Sequence, residues 1–193
     1  MPLTLDDYKH AAKRLGCDTA AIRAVDAVES AGSGFLADGR VKILFEGHKF
    51  SRFTGGAHDA TAPGISYPKW DRSKYAKGAT PEIRSQGEWA RLQTAIALNK
   101  RAALMSASWG RFQIMGFNFA QCGFTTVDDY VTAMKSGEPA QLDAFCGYIT
   151  LTGLDAELRE HRWSEFARRY NGADYAVNKY DVKLAKAWAQ FSS

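Results

Sequence analysis

The sequence predicts a mainly helical α+β protein, and two observations support this fold class. Apolar residues recur at helical spacing along most of the 193-residue chain, as they do in amphipathic helices packed around a core. Residues 34–45 instead form two short apolar runs on either side of Asp38-Gly39, and this dipeptide is a strong signal for a β-hairpin turn. Many helices with one small hairpin indicate an α+β fold.

The helices are assigned from their start and stop signals. Thr4 and Asp7 resemble a capping box that opens the first helix. Asp18 or Thr19 caps a second helix, which runs towards Gly32. Further helices are expected over residues 82–98 after Pro81, 127–135 after Thr126, 139–149 from Pro139, 163–170 and 180–191. Residues 55–80 are rich in Gly, Pro, Ser, Asp and aromatic residues, and a loop of this length is usually functional.

Length and composition fit one globular domain, which we expect to span residues 1–193. Hydrophobic residues make up 46% and charged residues 24% of the sequence, a balance typical of folded soluble proteins. No apolar stretch approaches the ~18 residues of a membrane-spanning helix, so we expect no membrane insertion. The acidic, polar N-terminus does not resemble a signal peptide, and we therefore expect synthesis in a cytoplasm.

The histidine spacing argues against a metal-dependent hydrolase, and the cysteines and the net charge are also informative. Three cysteines, Cys17, Cys122 and Cys146, are expected to be free thiols in apolar helical surroundings. The four histidines lie far apart without metal-ligand spacing, so a zinc amidase or endopeptidase is not supported and no metal is expected. The formal net charge of +4 either favours an anionic surface, such as a bacterial envelope or nucleic acid, or only keeps the protein soluble.

Glu29 is the first candidate catalytic residue. It shares one face of the second helix with Ile22 and Val25, and that face must point into the protein. Burial and the negative end of the helix both disfavour an ionised carboxylate, so Glu29 would stay protonated near neutral pH, as a general acid requires. The alternative is that Glu29 lies at the helix border and pairs with an arginine such as Arg23.

Glu46 is the second candidate, at the end of the predicted hairpin. Two carboxyl groups on different elements could face one groove, which is the arrangement that glycosidases use. One group protonates the leaving oxygen and the other stabilises positive charge or activates water. The alternative is that Glu46 holds the hairpin to the next helix by hydrogen bonds.

Three ordered segments resemble the lysozyme-like superfamily, which includes goose-type lysozymes and soluble lytic transglycosylases. They are residues 28–30 (VES), 109–115 (WGRFQIM) and 169–172 (RYNG). Residues 27–35 (AVESAGSGF), 44–48 (LFEGH) and 106–116 (SASWGRFQIMG) resemble more closely the N-acetylmuramidase catalytic domain of bacteriophage endolysins. That similarity covers nearly the whole chain, and it implies a lysozyme-like fold with the hairpin beside the active-site cleft.

The resemblance implies that Glu29 is the catalytic acid and that the segment with Gln113 lines a sugar cleft. Tyr170 and Asn171 would support Glu29 and the substrate. The full set of expected substrate-binding residues is Ser108, Phe112, Gln113, Met115, Tyr170 and Asn171. In the alternative interpretation, Trp109, Phe112, Met115 and Phe117 belong to the core, and we expect this of at least two of them.

We therefore predict a glycoside hydrolase that cleaves the β-1,4 bond between N-acetylmuramic acid and N-acetylglucosamine in bacterial peptidoglycan. Glu29 would be the acid and Glu46 the second carboxylate, with no cofactor. The expected partner is the glycan strand, reached after release from the host cytoplasm, with no nucleic acid and with the enzyme acting as a monomer. No separate wall-binding domain is expected. Two alternatives stay open: a lytic transglycosylase that forms a 1,6-anhydro product, and a non-catalytic peptidoglycan-binding protein.

Overall fold

The computed structural model describes residues 2–30, 32–172 and 175–192. Ten α-helices lie in this part of the chain: α1 (Leu5–Leu15), α2 (Thr19–Glu29), α3 (Gly47–Phe53), α4 (Pro81–Leu98), α5 (Lys100–Met105), α6 (Val127–Ser136), α7 (Glu138–Thr152), α8 (Asp155–Arg159), α9 (Trp163–Asn171) and α10 (Tyr180–Ser192). Three strands, β1 (Ile43–Phe45), β2 (Ala107–Trp109) and β3 (Ile114–Met115), form one antiparallel sheet in the order β1-β2-β3. The predicted mainly helical α+β class is confirmed.

The capping signals locate the helix starts well. Thr4 and Asp7 form both hydrogen bonds of a capping box at α1, and the Asp18 side chain accepts the N–H of Ala21 at the start of α2. Thr80 and Thr126 cap α4 and α6 in the same way. These side chains satisfy backbone donors that have no partner inside the helix, which is why a single sequence reveals them.

Three short helices were not predicted, and the end of α2 differs slightly from the prediction. Helices α3, α5 and α8 have seven, six and five residues, too few to give a clear apolar period. Helix α2 ends at Glu29 with Ser30 as its C-cap, before the predicted stop at Gly32. Glu29 is thus the last helical residue.

The predicted hairpin at Asp38-Gly39 forms only in part. The turn is present, because the N–H of Leu36 donates to the carbonyl oxygen of Arg40 at 2.7 Å, and a single isolated bridge follows it. The next strand, β1, pairs instead with β2, which comes more than sixty residues later in the sequence. A two-stranded hairpin alone is marginally stable, and the three-stranded sheet satisfies more of the backbone groups of β1.

The two faces of this sheet differ in burial, because alternate residues of a strand point to opposite sides. The inner face packs into the core with Ile43, Phe45, Ala107, Trp109 and Ile114, all buried. On the outer face Leu44, Ser108 and Met115 lie opposite one another in register. Leu44 and Met115 are half-buried, and Ser108 between them is buried. By the same alternation Glu46, just after β1, and Gln113, just before β3, continue the outer face.

Helix α10 fixes two helix ends that matter for the site. It packs along α2 and also against α9. The last residues of α2 and α9 are Glu29 and Asn171. The helical packing therefore brings together two residues that lie far apart in the sequence.

Other sequence expectations can also be compared with the fold. Cys17, Cys122 and Cys146 are free, as predicted. Residues 55–80 form turns with one short 3₁₀ helix, Arg72–Lys74. Among the described helices, none combines the length and apolar character that crossing a membrane requires.

Candidate active site

Glu29 ends α2 with its side chain half-buried. The Nδ2 atom of Asn171 lies 3.0 Å from Oε1 and 3.1 Å from Oε2, so one amide group holds both carboxyl oxygens. Burial raises the pKa of Glu29 above its ordinary value, although the Asn171 hydrogen bond and the charge of Lys183 act to lower it. The alternative pairing with Arg23 does not form, because the Arg23 guanidinium lies 4.1 Å from the ring centre of Phe191.

Tyr170 supports this region through packing. Its hydroxyl donates to the carbonyl oxygen of Phe112 at 3.1 Å, and this bond connects α9 to the turn between β2 and β3. Its ring stacks on Phe166 at 5.4 Å and meets the edges of Phe145 and Tyr148. The resemblance implied that Tyr170 supports Glu29, but the hydrogen bond of its hydroxyl is made to Phe112.

Gln113 is held rigidly at the outer face of the sheet. Its Oε1 accepts the Ser108 hydroxyl at 2.8 Å, and its Nε2 donates to the Gly110 carbonyl oxygen at 2.7 Å. The backbone φ angle of Gln113 is +49°, a conformation that non-glycine residues rarely adopt and that costs of order 1–3 kcal/mol. Such strain clusters at functional sites because the surrounding structure must maintain it.

Several predicted substrate-binding residues surround one cavity of about 120 Å³. The lining residues are Phe112, Gln113, Ile114, Met115, Asn118, Tyr148 and Tyr170. Ser108 reaches this group through its hydrogen bond to Gln113, whereas Asn171 contacts Glu29.

Phe112 also belongs to the core. It is 4% exposed and stacks on Phe145 with ring centres 4.5 Å apart. Trp109 is 1% exposed, and its indole N–H donates to the carbonyl oxygen of Leu104. The expectation that at least two aromatic or methionine residues of this segment are core residues is confirmed by Trp109 and Phe112.

Glu46 lies in a small polar cluster with Tyr75 of the long loop and His48 of α3. Its Oε2 accepts the hydroxyl of Tyr75 at 2.7 Å and lies 3.2 Å from Nδ1 of His48. Burial lowers the pKa of His48, although Glu46 opposes this shift. Glu46 is the N-cap residue of α3 but makes no side-chain capping hydrogen bond. Its carboxyl group accepts the hydroxyl of Tyr75 in the long loop and lies beside His48 of α3.

A buried ion-pair network behind Glu29 was missed in the sequence. Arg111 forms a forked hydrogen bond with Asp26, donates to the carbonyl oxygen of Gly32 at 2.8 Å, and lies 3.1 Å from Glu138. All three charged side chains are at most 10% exposed. Asp26 is three residues before Glu29, so the network anchors the end of α2. The sequence signal that could have revealed the network is Asp26, an acidic residue next to Val25 on the buried side of α2.

The described residues contain no group of three or more His, Cys, Asp or Glu side chains that could hold a metal ion. The side chains described above are held by hydrogen bonds within the chain or by ring packing. They are Asp26, Glu29, Glu46, Ser108, Arg111, Phe112, Gln113, Tyr170 and Asn171. The structure offers a half-buried carboxyl group with a raised pKa at Glu29 and a second carboxyl group at Glu46. Neither is among the residues that line the cavity beside Gln113. This combination of carboxyl groups suits general acid chemistry on a polar, uncharged bond.

Comparisons with known proteins agree with this chemistry. Over 98% of its length the chain is similar to the crystal structure of a Burkholderia AP3 phage endolysin, with 42% sequence identity and a TM-score of 0.88. The match covers 70% of the endolysin chain. Among curated proteins no significant match is found. The N-acetylmuramidase family model matches residues 18–192, nearly the entire sequence, and the chain therefore belongs to the N-acetylmuramidase family.

Proposed function

We propose that this N-acetylmuramidase is an endolysin that hydrolyses the β-1,4 bond between N-acetylmuramic acid and N-acetylglucosamine, with Glu29 as its general acid. The observation that carries the proposal is the state of Glu29: burial raises its pKa, and Asn171 holds its two oxygens. A carboxyl group with a raised pKa keeps its proton to a higher pH and can give it to the bridging oxygen as the bond breaks.

Protonation of the leaving oxygen leaves positive charge on the sugar ring, and a second group must stabilise it or activate water. We assign this role to Glu46. Its side chain is about 15% exposed and is oriented by the Tyr75 hydroxyl. A carboxyl group with a fixed orientation stabilises developing charge without having to rearrange during the reaction.

Gln113, Ser108 and Met115 are proposed to bind the glycan along the outer face of the sheet. The Gln113 amide is exposed but fixed by hydrogen bonds to Ser108 and Gly110, so it can present polar atoms to sugar hydroxyl groups at little entropic cost. Phe112 and Tyr170 would shape the cavity from beneath, and Asn171 would orient Glu29. Glycan strands of peptidoglycan are thus the proposed partner.

The test is the Glu29→Gln variant, which keeps the shape of the side chain but cannot give a proton. With purified peptidoglycan, we expect it to lose at least about 100-fold in turbidity-clearing rate, the usual contribution of a general acid. The control is Glu160→Gln, which removes a carboxyl group that is 62% exposed and far from Glu29 in the sequence. This variant should clear the peptidoglycan suspension at the wild-type rate.

Product analysis completes this test. Mass spectrometry of the fragments released by the wild-type enzyme should show reducing N-acetylmuramic acid ends, because water is the final acceptor in hydrolysis. Mainly 1,6-anhydro ends would instead identify a lytic transglycosylase and contradict the hydrolytic proposal. A Glu29→Gln variant that keeps more than a tenth of the lytic rate would contradict the assignment of the acid.

A further inference from the structure

The exposed indole of Trp70 is the starting point of a second substrate contact. The chain has five tryptophans, and Trp70 is 60% exposed, whereas Trp89, Trp109 and Trp163 are at most 8% exposed. A single exposed apolar side chain is common on protein surfaces, and Trp70 is set apart by the contacts that hold its ring. Trp70 lies in the long loop of residues 55–80, where functional contacts are expected.

Trp70 is held in place although it is exposed. Its Nε1–H donates to the Tyr75 hydroxyl oxygen at 2.8 Å, and the two rings meet edge to face with centres 6.4 Å apart. The only polar atom of the indole thus has a partner within the protein. What remains open to solvent is an apolar ring surface, suited to the C–H face of a sugar.

The same hydrogen-bond chain continues to Glu46. The Tyr75 hydroxyl donates to Glu46 Oε2 at 2.7 Å. Burial and this hydrogen bond both raise the pKa of Tyr75 above its ordinary value, so Tyr75 remains a donor at any pH at which the enzyme would work. Two hydrogen bonds therefore connect an exposed aromatic surface to the proposed second carboxylate.

We propose that Trp70 is a sugar-stacking subsite of the glycan groove and that Tyr75 is the positioning residue that aligns Glu46 with the bound strand. The inference rests on the proposed function, because it takes the ligand to be a β-1,4-linked chain of N-acetylated sugars. Because both hydrogen bonds meet at the Tyr75 hydroxyl oxygen, Trp70 lies close to Glu46, and it would contact a sugar next to the cleaved bond. It would contribute to binding more than to the chemical step.

Binding is tested separately from cleavage by working in the Glu29→Gln background with a β-1,4 tetramer of N-acetylglucosamine as the probe. Isothermal titration calorimetry should detect binding of the tetramer, and the binding signal should be lost in Glu29→Gln/Trp70→Leu. Glu29→Gln/Leu151→Ala is the matched control, because Leu151 is equally exposed (61%) but lies on α7, and it should keep the full signal. Equal signals from the Trp70 and Leu151 variants would overturn the proposal.

Kinetics on solubilised glycan strands provide the second measurement. Trp70→Ala should raise KM about tenfold with kcat within about twofold, as expected for loss of apolar contact in binding. Trp70→Phe, which keeps a ring, should recover part of the affinity. An unchanged KM in Trp70→Ala would refute the subsite, whatever the outcome at Glu29.

Tyr75→Phe tests the positioning role, because it removes only the hydroxyl group. We expect kcat to fall by about tenfold with little change in KM, since the carboxyl group that it orients acts in the transition state. The effect should disappear in a Glu46→Gln background, where no carboxylate is left to orient. A Tyr75→Phe enzyme with wild-type kcat, or one that loses as much kcat without Glu46 as with it, would overturn this part of the proposal.

Discussion

Replacing Arg111 with Met removes the cation that two buried carboxyl groups share. Asp26 and Glu138 are 7% and 5% exposed at their side chains, and Arg111 is 10% exposed. Methionine fills much of the space but leaves both carboxyl groups without their counter-ion. Removing one member of a buried pair costs about 3–5 kcal/mol, so for a chain of this size we expect the melting temperature to fall by about 6–20 °C.

The matched control is Arg14→Met, which breaks another Arg–Asp pair. Arg14 and Asp143 are 44% and 76% exposed, and an exposed pair contributes only about 0.2–1 kcal/mol. Thermal and urea unfolding of the two variants should therefore differ several-fold in the lost free energy of unfolding. A loss for Arg111→Met no larger than that for Arg14→Met would refute the structural role of the network.

The pH dependence of the Arg111 effect has a definite sign. Burial alone would raise the pKa of Glu138, but the N–H of Gly34 and the charge of Arg111 outweigh it, and the folded pKa is lowered. A group with a lowered folded pKa stabilises the fold at any pH above its unfolded pKa. This contribution is lost as the pH falls through its folded pKa. Without Arg111 that contribution shrinks or reverses, so the difference from wild type should be larger at pH 8 than at pH 4.

Three further predictions concern the carboxyl groups of the candidate site. Glu29→Gln should abolish lysis and leave the fold intact, as measured by turbidity and circular dichroism; substantial residual lysis would contradict the role of Glu29. Glu46→Gln should cost at least about tenfold in rate with little change in melting temperature; a large thermal loss with normal specific activity would show a structural role. Because the folded pKa of Glu29 is raised, its proton favours the fold at low pH, and this contribution is lost as the pH rises through the folded pKa. Glu29→Gln should therefore be at least as stable as wild type at pH 8, and this advantage in stability should shrink towards pH 4. Thermal melts of both proteins measure it. A variant clearly less stable than wild type at pH 8 would mean that Glu29 is ionised and paired.

The sequence by itself determined the seven longer helices of the described residues and the identity of the main candidate acid. Helix starts depend on a side chain and backbone N–H groups two or three positions away, so Thr4, Asp18, Thr80 and Thr126 could be identified locally. The apolar face shared by Ile22, Val25 and Glu29 likewise follows from helical periodicity. Burial on that face was enough to predict the direction of the pKa shift of Glu29.

Only the tertiary structure decided which distant residues meet. The pairing of β1 with β2, the amide of Asn171 on Glu29 and the fork of Arg111 on Asp26 join segments separated by more than sixty residues, and no local period encodes such contacts. Likewise, the hydrogen bonds from Trp70 through Tyr75 to Glu46 depend on the path of a long irregular loop. Loop conformation is set by side-chain partners elsewhere in the fold. The positions of helices are instead marked locally by capping residues and the apolar period, although tertiary packing supplies most of their stability.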